Sequence, residues 1–299
     1  MKTKEKLIEM FKRKIRVLRN HYLTIWLRPV YAKDVKDKTY ISTFEKIAII
    51  IQGGILEKYN FTLESVRLYK KNYPNAKIIL STWDDTDDAI IDDFKKEEIE
   101  IVLSTKPKPM KGNGNLQVIS TLAGLKEAKK LGCKYACKTR TDQRMYATGI
   151  FPYLLKMHEY FPIKENVELK GRIITYSCNT FRNRLYDIND MWGFGFTEDM
   201  IRYWSCNPNF EWDEEAGAHI QGKQRLVENY VCINFLKSLG CKLKYTEEDS
   251  IGYYSKYFII IDNQSLDIYY AKRLKEFFNK SYNDKEGTNF SFRDWMALQ

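Results

Sequence analysis

The 299-residue sequence predicts an α/β domain with a mostly parallel central sheet flanked by helices. Three observations predict it. Short apolar runs recur with helical patterns between them, an apolar content of 44% suffices for a large core, and each run ends in a polar cluster. Lys46–Ile51 is the first run and ends at Gln52-Gly53-Gly54. Asn60-Phe61-Thr62-Leu63-Glu64-Ser65 then opens a helix that Pro74 terminates. Ala76–Leu80 is a second strand ending at Ser81-Thr82-Trp83-Asp84-Asp85, and after an acidic helix over 86–97 comes a third, Ile99–Leu103. A loop rich in Lys, Pro and Gly at 105–114 leads into a helix over Leu116–Leu131. Tyr135–Cys137 is the fourth strand, and it delivers Lys138-Thr139-Arg140-Thr141-Asp142-Gln143-Arg144. Further on, Tyr253–Ile261 reads as a strand completing the sheet or its covering layer, and Ser265–Lys280 as a helix.

All these polar clusters follow the carboxyl end of a strand, so they line one edge, where open α/β sheets bind their ligands. The charged stretch 138–144 sets one carboxylate among several cations, which is chemistry for holding a phosphate compound. Gly53-Gly54 is no dinucleotide fingerprint, since no G-x-G-x-x-G opens the helix, and no P-loop motif occurs. The reading that survives is a nucleotide-binding sheet whose diphosphate is held by side chains, with a place for one metal.

The net charge of +10 is uneven: residues 1–28 hold nine Lys/Arg against Glu5 and Glu9, so the body of the chain is near neutrality. A near-neutral body argues against a nucleic-acid surface, and no nucleic-acid partner is expected. Leu7, Ile8, Phe11, Ile15, Leu18, Tyr22 and Ile25 recur at helical spacing beside that charge, predicting a basic amphipathic helix. It has two candidate seats, an anionic membrane surface or the domain itself. Charge interrupts it too often for a signal peptide, and no segment has the apolar length of a membrane span. The expected place is cytoplasmic, with a candidate peripheral contact at the inner face of the membrane. Six scattered cysteines and three histidines form neither a zinc motif nor a disulfide framework.

The residues Ile49-Ile50-Ile51-Gln52-Gly53, Thr62 with Ser65, Ile79-Leu80-Ser81-Thr82-Trp83, Asn115 and Gln117 with Ser120-Thr121 and Gly124-Leu125, and Lys138-Thr139-Arg140-Thr141-Asp142 together resemble the WavE lipopolysaccharide-synthesis family. Its members look like glycosyltransferases of the GT-A fold. The resemblance runs from about 46 to 146. It implies a GT-A-like single domain that takes a nucleotide-sugar donor and a glycan or glycolipid acceptor of the cell surface, lipopolysaccharide or capsule. The nucleotide is expected near Gln52, Gly53, Gly54, Thr82, Asp84, Asn115 and Gln117, and its phosphates near Lys138, Arg140, Asp142 and Arg144. The implied organisation is a basic arm over 1–40, a donor half over 41–148, an acceptor half over 149–264 and a helical segment over 265–299.

A further likeness, to the acceptor-side motif of GT-A transferases, falls on Glu228-Asn229-Tyr230, twelve residues before Gly240, with Cys241–Tyr245 as the returning strand. Asn229 stands where that motif commonly has the Asp that serves as base, and an amide cannot take a proton. Glu228 and Asp190, the latter in the sugar-suited loop Asp187–Gly195, are therefore the two candidate bases. The metal motif departs as well, with Asp142-Gln143-Arg144 in place of Asp-x-Asp. Two routes stay open there: Asp142 holds Mn²⁺ or Mg²⁺ with the diphosphate completing its shell, or the cations act without a metal. Two other functions are compatible with the same edge: a non-catalytic nucleotide- or glycan-binding subunit, and transfer of a nucleotide-activated phosphate-containing group.

Overall fold

A computed structural model describes residues 17–18, 21–22, 28–36, 46–164, 167–222, 226–271 and 289–299. Its centre is a seven-stranded sheet. We label β1 Ile47–Gln52, β2 Lys77–Trp83, β3 Glu100–Ser104, β4 Tyr135–Arg140, β5 Gln143–Met145, β6 Ile173–Tyr176, β7 Gly193–Phe196, β8 Phe258–Ile261 and β9 Ile268–Tyr270. The sheet order is β8-β6-β7-β4-β1-β2-β3, parallel throughout except for β7, which runs against both neighbours. The expected mostly parallel sheet is thus present. Every residue of β1 is buried, as befits a strand covered on both faces. Beside the sheet, β5 and β9 form a separate antiparallel ladder.

The helices are α1 Phe61–Asn72, α2 Asp88–Lys95, α3 Gly114–Lys130, α4 Ile150–Tyr160, α5 Thr197–Trp204, α6 Glu214–His219, α7 Val227–Ser238, α8 Glu247–Tyr257 and α9 Phe292–Met296. Local chemistry starts and stops them. Asp87 caps α2 by accepting from the Ala89 N–H at 2.8 Å, and Gly132, at φ +68°, turns the chain after α3. α3 lies directly on the sheet: a Cβ at Gly124 would stand 2.5 Å from Ile50 Cγ2 and 3.1 Å from Ser81 Cβ. Ser120, one turn earlier, donates to Gln52 Oε1 at 2.8 Å, and its carbonyl accepts from Ser81 Oγ at 2.7 Å.

Residues 28–36 are clamped beneath α1. Arg144 is buried and tied down there: Nε donates to Ser65 Oγ (2.9 Å), Nη1 to the Val30 carbonyl (2.7 Å) and Nη2 to the Phe61 carbonyl (2.7 Å). Tyr146 OH donates to the Pro29 carbonyl at 2.7 Å, and the Ala32 N–H to Glu64 Oε2 at 2.7 Å.

Four expectations change. Tyr253–Ile261 is not one strand: Thr246 caps α8 through the Asp249 N–H at 3.2 Å, so helix runs to Tyr257 and the strand is only Phe258–Ile261. Cys241–Tyr245 is irregular, with Tyr245 at φ +53°. The helix expected over 265–280 is, in its described part, a 3-10 turn at Asn263–Leu266 and then β9. Asp267 in the left-handed region (φ +43°) stops the turn, and Ile268-Tyr269-Tyr270 has strand-forming side chains; residues 272–280 lie outside the described residues. Within the basic arm, Val17–Leu18 pairs with His21–Tyr22 as an antiparallel ladder instead of helix, and most of the arm lies outside the described residues. Among the described residues no helix is long and apolar enough to cross a membrane, and the cysteines are free thiols.

Unfolding in urea probes both the helix seat and the clamp. Gly124→Ala forces α3 off the sheet and should cost about 1–3 kcal/mol in that measurement. Arg144→Leu, which removes the three hydrogen bonds that tie residue 30 and α1 to β5, should cost about 3 kcal/mol or more.

Candidate active site

β1 stands in register with both neighbours at its end, Gln52 opposite Ser81 of β2 and opposite Arg140 of β4. This puts the first, second and fourth strand ends in one row, as the alternation of strands and helices implies. Gly53 turns the chain away at φ +112°, a conformation open to glycine, while its N–H donates to the Ser81 carbonyl at 3.0 Å. The Gly54 carbonyl accepts from Thr141 Oγ1 at 2.7 Å, so the first loop rests on the end of β4. Thr82 is buried, and its Oγ1 has no hydrogen-bond partner among the described residues. Asp84 is exposed and accepts from Thr105 Oγ1 at 2.8 Å. Asn115 fastens the 105–113 loop, accepting from the Met110 N–H (3.1 Å) and donating to the Lys108 carbonyl (2.8 Å).

Next to this row the sequence-predicted residues Gln117, Lys138, Arg140, Asp142 and Asp190 form one hydrogen-bonded chain. Arg140 grips Asp142 with two parallel bonds, Nε to Oδ1 at 2.9 Å and Nη2 to Oδ2 at 3.1 Å. Its Nη1 donates to Gln117 Oε1 at 3.0 Å, and Gln117 Nε2 in turn donates to Asp190 Oδ2. Lys138 Nζ donates to the Asp190 carbonyl and lies 4.7 Å from the centre of the Trp204 ring. Complete burial pushes Lys138 down to about 7, against the opposing pull of Asp190. Arg144 does not join this chain, since its donors serve α1 and residue 30.

Asp190 reaches the site because β7 is antiparallel. Gly193 pairs with Lys138, so the loop before β7 enters at the same edge. Asn189 shapes that loop, its Oδ1 accepting from the N–H groups of Met191 (3.0 Å) and Trp192 (3.2 Å) and its Nδ2 donating to the Cys178 carbonyl (2.6 Å).

Glu228 is the second residue of α7 and half-buried. The starts of α7 and α3 touch: a Cβ at Gly114 would meet the Phe210 ring at 2.5 Å and Val227 Cγ2 at 2.6 Å. Glu228 therefore sits by the helix start that carries Gln117. Burial, then Asp190 and then Asp187 hold the Glu228 carboxyl well above its usual range. Asp187 is itself pushed up to about 7 by burial, although Arg184 Nη1 stands 3.5 Å away. Asn229, by contrast, serves the helix: its Oδ1 accepts from the Leu226 N–H at 2.9 Å and closes the first turn of α7.

Both Asp142 oxygens accept from one guanidinium, so a metal there would have to displace Arg140; among the described residues no group of three or more His, Cys, Asp or Glu that could hold a metal ion occurs. The sequence reading missed Tyr270, whose ring centre lies 5.5 Å from the Arg140 guanidinium, and Trp204 beneath Lys138. Only strand register brings Tyr270 there, opposite Gln143. Asp187 could have been noticed, three residues before Asp190 in the same loop.

No curated protein matches this chain. Among solved structures it is similar to a cytidylyltransferase from Leptospira borgpetersenii serovar Hardjo-bovis, with 12% identity over 85% of this chain and 93% of that one and a TM-score of 0.42. It is also similar to a nucleoside-diphosphate-sugar pyrophosphorylase from Vibrio cholerae (10% identity, 75% and 95% covered, TM-score 0.36). A third likeness is to S. aureus TarS, with 11% identity over 64% of this chain and 34% of that one and a TM-score of 0.37. These superpositions are too loose to bear on the chemistry. The match that does bear is to the family model described as WavE lipopolysaccharide synthesis, over residues 47–264. It runs from the first residue of β1 into the turn before β9 and takes in every residue of the charged edge; the chain belongs to the WavE lipopolysaccharide synthesis family.

Proposed function

We propose that the chain is a GT-A-like glycosyltransferase that moves a sugar from a nucleotide-sugar donor to a growing cell-surface glycan by direct displacement. The observation that carries this reading is an oriented guanidinium at the carboxyl edge of the sheet: Arg140, held by Asp142 and Gln117, with Asp190 joined to the same hydrogen-bonded chain. Arg140 suits a leaving diphosphate, and Glu228, near the start of α3, is the candidate base for the reacting hydroxyl.

In the proposed reaction an acceptor hydroxyl oxygen attacks the anomeric carbon of the donor sugar. The bond from that carbon to the donor phosphate oxygen breaks, and its electron pair leaves with the nucleotide. Positive charge from Arg140 offsets the charge that develops there. The hydroxyl proton passes to the Glu228 carboxylate, which its surroundings make a stronger base than an exposed glutamate. Glu228 suits this better than Asp190, whose carboxylate already accepts from Gln117 and whose carbonyl accepts from Lys138. Asp190 instead holds the acceptor loop to the donor side. The nucleotide lies along the Gln52-Gly53-Gly54 row. The excess of basic residues in 1–28 suits an enzyme working at the anionic cytoplasmic face of a membrane, where a glycolipid acceptor is displayed.

Incubation with UDP-, GDP-, dTDP- and CMP-sugars and a lipopolysaccharide acceptor, scored by nucleotide release and mass of the glycan, tests the reading. One donor should be consumed with a sugar added; no consumption of any donor would favour a non-catalytic subunit, and a gain of phosphorus would favour phosphate-group transfer. Glu228→Gln should lower kcat by about 10²–10⁴-fold. Activity should rise with pH through the raised Glu228 pKa, because the base works ionised. Stability moves oppositely. Between the unfolded pKa, about 4.3, and the raised native one, the native state binds more protons than the unfolded state, so stability falls as pH rises. Glu228→Gln removes that loss and should melt higher than wild type at pH 8, with the difference vanishing near pH 4.

A further inference from the structure

We infer that the donor diphosphate is bound by Arg140 without a metal, and that Asp142, where an Asp-x-Asp enzyme would place its cation, is a positioning residue for that arginine. This rests on the transferase reading and assigns the chemistry of its phosphate site.

A guanidinium has five N–H bonds in a plane and no acceptor. In Arg140 the Nε–H and one N–H of Nη2 go to the two oxygens of Asp142, and one N–H of Nη1 goes to Gln117. One N–H on Nη1 and one on Nη2 remain. The Arg140 side chain keeps 23% of its surface exposed, whereas that of Asp142 keeps 2%. Solvent, and so a ligand, therefore meets the arginine, while the carboxylate lies behind it. Two coplanar N–H groups suit two oxygens of a phosphate, and such paired bonds are the strong ones.

A metal at Asp142 would have to break both bonds of this pair. It would also leave a cation facing the displaced guanidinium. Tyr270 adds to the same end: its ring, 5.5 Å from the guanidinium, limits the rotation of Arg140 away from its partner. Gln117 couples the fork to the acceptor side, because its own amide donates to Asp190. Seating a diphosphate on Arg140 thus bears on the loop that carries Asp190 and on the acids raised beside it.

Calorimetric titration of the full chain with UDP, GDP, dTDP and CDP, first in EDTA and then in Mn²⁺, tests this, with Mn²⁺ alone followed by electron paramagnetic resonance. One nucleoside diphosphate should bind with a Kd that changes less than about twofold between the two media, and Mn²⁺ alone should stay free. Arg140→Lys keeps the charge but loses the fork, and should weaken binding about tenfold. Asp142→Asn should weaken it several-fold to the same extent in both media, since it loosens Arg140 without removing it. The double variant Arg140→Gln/Asp142→Asn leaves no unpaired buried charge, so it should stay folded by circular dichroism and lose binding. Nucleotide binding that requires Mn²⁺, is indifferent to Arg140→Lys and becomes Mn²⁺-insensitive in Asp142→Asn would overturn the inference and leave the transferase reading standing. No binding of any nucleotide in either medium would overturn both.

Discussion

The close seating of α3 on the sheet is the constraint from which the rest of the site derives. With no side chain at Gly124, the helix backbone comes down onto Ile50 and Ser81. At that depth Ser120 can reach Gln52, and Gln117, one turn nearer the start, can reach the Arg140 guanidinium at the end of β4. A Cβ at that point would have to push helix and sheet apart, and these bonds depend on that distance, because hydrogen bonds weaken steeply beyond their normal reach. A packing contact in the middle of a helix therefore sets polar geometry at its end.

The charged edge shows what a protein does with ionic groups that it must bury. Asp142 and Lys138 have almost no contact with water, yet each is answered: the carboxylate by two guanidinium bonds, the ammonium by a backbone carbonyl and an aromatic face. Such groups contribute little net stability, because desolvation offsets their attraction. What they supply is orientation. A cation fixed before the ligand arrives loses no conformational freedom on binding it.

Most of the stretch from β1 to β4 was legible because its signals are local. Runs such as Ile47–Ile51 are continuous and apolar, the helices between them have caps and stops, and every polar cluster lies just past a strand. The stretch 138–144 announced itself by charge, but its members part company in space. Lys138 and Arg140 serve the edge, while Arg144 is spent on Ser65, Phe61 and Val30. The pieces that resemble the family are likewise not all ligand-binding: Thr62 Oγ1 donates to the Thr141 carbonyl at 2.9 Å and Ser65 serves Arg144, so both brace the loop. What stayed illegible depended on register across distant segments. The antiparallel insertion of β7 brings Asp190 in, and the β5–β9 ladder brings Tyr270 in from a segment whose pattern suggested helix. Neither pairing leaves a trace in local periodicity.

The clamp on residues 28–36 has a mechanical consequence. Those residues hold to Arg144 and Tyr146 beside β5, and Arg28 Nε donates to Asp267 Oδ1 at 2.7 Å in the turn before β9. The same ladder borders the Arg140–Asp142 pair, since the Ala271 N–H just past β9 donates to the Asp142 carbonyl at 2.9 Å. A load applied through the amino terminus thus enters the molecule at this ladder and not at β1, the sheet strand that follows in sequence. Residues 28–36 are therefore moored beside the Arg140–Asp142 edge, and a pull on them would be felt there first.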